Sequence, residues 1–156
     1  MRRRKRAPVS EPASRYLEAA GTLNVRFQEV DSLRIVWHGH YLTYFEEGRN
    51  AFGRQYEFGY PDIMSAGYVV PLVHAEVDYF APARFEDELT VIARLHPERA
   101  ARVTFTYLIL GPTGRKLASG LTTQCFTDLE GNLVLTRPAF YEGFLAAWDA
   151  HMVELE

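Results

Sequence analysis

Gln28 to Arg49 reads Q-E-V-D-S-L-R-I-V-W-H-G-H-Y-L-T-Y-F-E-E-G-R: the end of a strand, an aspartate, and the start of a long helix. Val25, Phe27 and the residues up to Val30 carry the strand pattern. Tyr41, Phe45, Gly48, Phe52 and Tyr56 then recur at the spacing of one helical face. Such an aromatic stripe is first of all core. Gly48 inside it lets the helix backbone lie close against a sheet, and Gly59 followed by Pro61 supplies a stop. The link between strand and helix, Leu33-Arg34-Ile35-Val36-Trp37, is short and apolar, which predicts a buried segment rather than a surface loop.

Beyond the helix the period changes from helical to alternating. Val73, Ala75, Val77 and Tyr79 face one way while His74, Glu76 and Asp78 face the other, a half-buried strand ended by Pro82. Leu89, Val91, Ala93 and Leu95 form the next, and Val103, Phe105, Tyr107 and Ile109 a third, closed by the turn Gly111-Pro112-Thr113-Gly114. Residues from Arg115 to Thr127 give a fourth, and a short fifth piece runs from Leu133 to Thr136. Pro138 opens a last helix reaching about Val153, with Phe140, Phe144, Ala147 and Trp148 on its apolar side. The connections are too short for parallel crossovers. The expected fold class is α+β: one antiparallel sheet wrapped around one long helix.

The 156 residues, 47% hydrophobic and 13% aromatic, suit one domain with a sizeable core. Met1-Arg2-Arg3-Arg4-Lys5-Arg6 carries five positive charges, and the other 150 residues hold twelve Lys and Arg against twenty Asp and Glu, a balance of −8. That acidic body argues against nucleic-acid binding. The basic head is read as a flexible extension over residues 1–20, with a short helix around Ser14 to Ala20. The folded domain is placed at 21–156. Pro8, Glu11, Pro12, Arg15 and Glu18 interrupt what would be the apolar core of a signal peptide, so export is not expected. No apolar run is long enough to cross a membrane, and the single Cys125 cannot form an internal disulfide, which is compatible with a cytoplasmic location.

Two stretches, V-D-S-L-R-I-V-W-H-G-H-Y-L-T-Y-F-E and V-D-Y-F-A-P-A-R-F-E-D-E-L-T-V, resemble the hotdog-fold acyl-CoA thioesterases of the 4-hydroxybenzoyl-CoA thioesterase and YbgC type. The likeness runs from about Leu23 to Pro138. It implies a curved antiparallel sheet wrapped around a long central helix, two subunits joined into one continuous sheet as a homodimer, and often a homotetramer. The family uses no metal or organic cofactor. The implied activity is hydrolysis of an acyl-CoA, or of the same acyl group on acyl carrier protein, to a carboxylic acid and a free thiol.

Thioester hydrolysis needs a polarised carbonyl and a carboxylate that activates water or attacks directly. A helix N-terminus offers free N–H groups to an oxygen gaining charge. Taken alone, Asp31 fits either a capping or turn residue or a catalytic group. By resemblance Asp31 is the catalytic carboxylate, as base or nucleophile, the backbone N–H of His38 faces the thioester oxygen, and the side chains of His38 and Tyr41 match functional positions of the YbgC-like branch. Three positions depart from the pattern: Arg34 stands where relatives carry Gly and could pair with Asp31 or touch substrate, Phe27 replaces Tyr, and Glu29 replaces Asp.

For the phosphates of coenzyme A the first candidate is Arg84, followed by Arg99, Arg102, Arg115 and Lys116. Trp37, Tyr41, Phe58, Tyr60 and Tyr68 are candidates to line an acyl tunnel, or a dimer core. His38 and His40 lack further partners for a metal site. Glu46 and Glu47 suit a solvated or interface face, and Cys125 suits buried filler. The competing reading is a non-catalytic module that binds acyl thioesters or an acyl carrier protein on the same fold. A hydratase would need a motif that the sequence does not contain.

Overall fold

A computed structural model describes residues 12–154, so the basic head at residues 1–6 lies outside the described residues. Strand β1 (Arg15–Asn24) leads through a 3-10 turn (Phe27–Glu29) to α1 (His40–Tyr56) and α2 (Tyr60–Ser65). Then come β2 (Tyr68–Val69), β3 (Leu72–Tyr79), β4 (Glu88–His96), β5 (Arg102–Leu110), β6 (Lys116–Cys125) and β7 (Thr127–Asp128). The chain closes with α3 (Ala139–Trp148), a 3-10 turn (Asp149–His151) and β8 (Val153–Glu154). Six strands make one antiparallel sheet in the order β3-β6-β5-β4-β1-β8, and β2 pairs with β7 separately.

The strands from Leu89 and from Val103 sit where alternation puts them. Leu89, Val91, Ala93 and Leu95 are fully buried, as are Val103, Phe105, Tyr107 and Ile109 within a few per cent. Burial of each large apolar side chain is worth about 1.5–3 kcal/mol, so these two strands anchor the core. On α1 the expected stripe of Tyr41, Phe45, Gly48, Phe52 and Tyr56 is the buried one. A Cβ on Gly48 would lie 2.7 Å from Val91 Cγ1, and one on Gly120 would lie 2.3 Å from Phe45. The Phe45 ring stacks on Tyr107 at 4.4 Å. Helix and sheet meet this closely because glycine stands on both sides of the contact.

Several expectations need correction. The strand placed at Val25 to Val30 lies earlier, at Arg15–Asn24. Phe27 is 78% exposed and Glu29 is buried, the reverse of what a strand there would need. The segment read as a helix around Ser14 to Ala20 is therefore sheet, and residues 15–20 belong with the fold rather than with an extension. The link Leu33 to Trp37 is mostly exposed, with only Val36 fully buried. Leu133 to Thr136 forms a single bridge, Thr127 to Leu133, rather than a strand. The last helix ends at Trp148, Ala147 is exposed, and Tyr141 and Leu145 carry its buried face. The strand order does not follow the chain order throughout, because β3 pairs with β6 and not with β4. Gly59 and Pro61 begin α2 as well as ending α1, whose own end is Glu57 in the left-handed conformation.

Candidate active site

Between β1 and α1 the backbone folds on itself. Val30 bridges to Val36, and inside that bridge Asp31 N–H donates to Ile35 C=O while Arg34 N–H donates to Asp31 C=O, both at 2.9 Å. Asp31 Oδ1 accepts the N–H of Leu33 at 2.7 Å, so one carboxylate oxygen holds the turn. The other oxygen takes no hydrogen bond from the described residues. Past the turn, Val36 N–H donates to Ala83 C=O and Trp37 N–H to Glu29 C=O, both at 2.9 Å. The segment is thus pinned to the chain after β3 on one side and to the 3-10 turn on the other.

This arrangement brings Asp31, His38 and Tyr41 to one open cleft of about 390 Å³. Asp31 lies nine residues before the first residue of α1, and it reaches the helix through the fold of the intervening loop rather than by adjacency. Tyr41 is buried, and its hydroxyl accepts the N–H of Ala83 at 3.2 Å. Burial raises its pKa above the usual phenol value, against the opposing pull of the Ala83 N–H, so the hydroxyl keeps its proton at neutral pH. No side chain caps α1, and among the described residues no acceptor takes the N–H of His38 or Gly39. The start of α1 therefore presents free donors beside the cleft.

Arg34, Trp37 and Arg84 stand outside the cleft lining. Arg34 follows Leu33, which lines the cleft; its guanidinium is exposed and makes no ion pair with Asp31. Trp37 is half-exposed and lies against Gly39, with the rings of His38 and His40 at 4.7 and 5.6 Å. Arg84 is exposed in a turn where its N–H donates to Asp87 Oδ2 at 2.9 Å. Arg99, Arg102 and Arg115 do not line the cleft, whereas the Lys116 ammonium lies 4.2 Å over the ring of Phe80, which does. Of the five aromatic tunnel candidates only Tyr41 reaches the cleft. Phe58 and Tyr60 line a separate small cavity with Arg49 and Gln124, and Tyr68 packs on Phe126 and Phe140. Glu46 is tied to Arg49 and Tyr60. Among the described residues no group of three or more His, Cys, Asp and Glu side chains gathers as a metal site.

Two features escaped the sequence reading. Tyr79 and Phe80 also line the cleft, and the Tyr79 hydroxyl donates to His38 C=O at 2.8 Å. The signal for them is their place just before Ala81-Pro82, in the same segment as Arg84. Glu29 is buried, accepting the N–H of Arg26 at 2.7 Å and the hydroxyl of Tyr44 at 3.1 Å. Burial and the adjacent Glu29 carboxylate both push the Tyr44 phenol well above its ordinary pKa.

Known proteins resemble this chain in sequence and in fold. The model of the thioesterase-like superfamily matches residues 25–148. YneP of Bacillus subtilis (strain 168), whose name assigns it to the acyl-CoA thioesterases, is 26% identical over 108 residues, covering 69% of this chain and 78% of YneP. The acyl-CoA thioester hydrolase YbgC of Escherichia coli O157:H7 is 25% identical over 88 residues, 56% of this chain and 66% of YbgC. Among solved structures, the hypothetical protein TT1821 from Thermus thermophilus superposes with a TM-score of 0.74 at 26% identity, covering 83% of this chain and 98% of that one. The 1,4-dihydroxy-2-naphthoyl-CoA thioesterase Slr0204 from Synechocystis shares the fold with a TM-score of 0.73 at 24% identity, over 85% and 98% of the two chains. The chain belongs to the thioesterase-like superfamily. Within it this is a hotdog protein of the YbgC-like kind, a thioester hydrolase by class.

Proposed function

We propose that the protein hydrolyses acyl-CoA thioesters in the Asp31 cleft, with a hotdog sheet that continues into a second subunit. The observation that carries this is the meeting of Asp31, His38 and Tyr41 at the uncapped start of α1. The thioester oxygen lies toward the free N–H of His38, where the positive end of the helix dipole favours the charge it gains. Asp31 supplies the carboxylate, as base toward water or as nucleophile. As base, Asp31 takes a proton from the water whose oxygen bonds to the carbonyl carbon and passes it to the thiolate as the C–S bond breaks; as nucleophile, it forms a mixed anhydride as the C–S bond breaks, and water then hydrolyses the anhydride, freeing the acid and supplying the proton to the thiolate. Tyr41 donates its hydroxyl proton into the same space. Arg34, Trp37 and Arg84, outside the cleft lining, are the side chains assigned to the phosphates and adenine of the nucleotide end.

The free edge of β3 carries exposed Leu72, Val73 and Tyr79, and an unpaired apolar edge of this kind suits a second copy of the chain. The expected assembly is a homodimer, paired further into a tetramer.

The test is free-thiol release from short, medium, long and aromatic acyl-CoAs, comparing the native protein with Asp31→Asn. We expect a loss of about 100-fold or more in the variant, on a protein still folded. Equal rates would sink the assignment of Asp31. Binding of acyl-CoA without release by either protein would favour a non-catalytic acyl-thioester module.

A further inference from the structure

We propose that Tyr79 is a positioning residue for hydrolysis: its hydroxyl, reaching from the end of β3, fixes the peptide group between His38 and Gly39, and with it the start of α1, so that the adjoining His38 N–H stays aimed at the thioester oxygen. This rests on the thioesterase reading of the Asp31 cleft. Tyr79 and His38 are 41 residues apart in sequence, yet Tyr79 Oη donates to His38 C=O at 2.8 Å. The peptide group is planar, so holding its carbonyl sets the direction of the Gly39 N–H on its other side. The preceding peptide is held in the same way, because Trp37 C=O accepts the N–H of His40 at 3.0 Å. Two successive planes are thereby fixed, and the N–H groups they carry, those of His38 and Gly39, have no acceptor among the described residues.

The support behind Tyr79 is rigid. It pairs with Ala118 at the last register position of β3, and the N–H groups of Phe80 and Ala81 both donate to Leu117 C=O, at 2.8 and 3.1 Å. Its ring meets Tyr41 edge-on at 5.1 Å, and both rings line the cleft. Tyr79 is 51% exposed, so its hydroxyl is not needed to fill the core. Fixed donors matter most when charge develops on the oxygen and least when the neutral substrate binds.

The experiment compares the full-length native protein with Tyr79→Phe, which keeps the ring, using the acyl-CoA that the native protein hydrolyses best. Expected is a kcat about tenfold lower with KM within about twofold, the loss of one neutral hydrogen bond felt in the transition state. A CoA-linked trifluoromethyl ketone, whose hydrate mimics the oxyanion, loses about tenfold in affinity for the variant, while a CoA thioether binds both proteins equally. An unchanged kcat, or a change confined to KM, overturns the role of Tyr79 and leaves the thioesterase reading standing. Absence of thiol release from the native protein removes that reading, and this inference with it.

Discussion

Arg34 shows what one residue contributes at this site. It sits at φ 63, in the left-handed region that a side chain disfavours, in the turn that Asp31 closes. Replacing it with Gly relieves that strain but loosens the unfolded chain. The net expectation for Arg34→Gly is a gain of about 0.5–1 kcal/mol, read as a higher urea midpoint with an unchanged slope. The guanidinium forms no pair with Asp31, so the gain should not depend on salt. Asp31 itself was legible as two alternatives, turn residue or catalytic group. In the structure one of its oxygens accepts the Leu33 N–H, and the other, which takes no hydrogen bond from the described residues, is the one we propose for the chemistry. Tyr79 was not legible, because a tyrosine that ends a strand gives no sign of the distant carbonyl it will meet.

At the scale of elements, the fit of α1 on β4 turns on the absence of one methyl group. In Gly48→Ala a better helix former gains about 1 kcal/mol of propensity, but the added Cβ would stand 2.7 Å from Val91 Cγ1. Overpacking of a closed core costs about 1–3 kcal/mol, so we expect net destabilisation by thermal melting, and a smaller loss when Val91→Ala is already present. Helix α1 and strands β4, β5 and β6 were readable because their large side chains mark the period plainly. Strand β1 was not. Its inward series is Leu17, Ala19, Gly21 and Leu23, and two small residues in the middle blur the alternation that longer side chains would show. The apolar Val25 and Phe27 show a clearer strand pattern, although Phe27 points to solvent.

Across the whole molecule, His96 joins parts that lie far apart in sequence. It is buried on β4, bonded through Nδ1 to Ala13 C=O and through Nε2 to Thr106 on β5, both at 2.7 Å. Burial lowers its pKa from the ordinary 6.5, with Arg94 acting in the same direction and the Ala13 carbonyl and Glu98 opposing. The unfolded chain therefore binds a proton first as pH falls. Stability from this group is full above 6.5 and declines below it. Urea midpoints measured between pH 7 and pH 5 should fall, and His96→Gln should flatten that slope. The strand order has a consequence in time as well as in space. Leu17 pairs with Leu95 and Arg15 with Glu154, so β1 finds neither neighbour until most of the chain exists. On the ribosome, β1 can pair on one edge once β4 has emerged, before β5 and β6 are made, while its other edge stays open until β8 arrives; among the described strands the first made is the last to be covered on both sides.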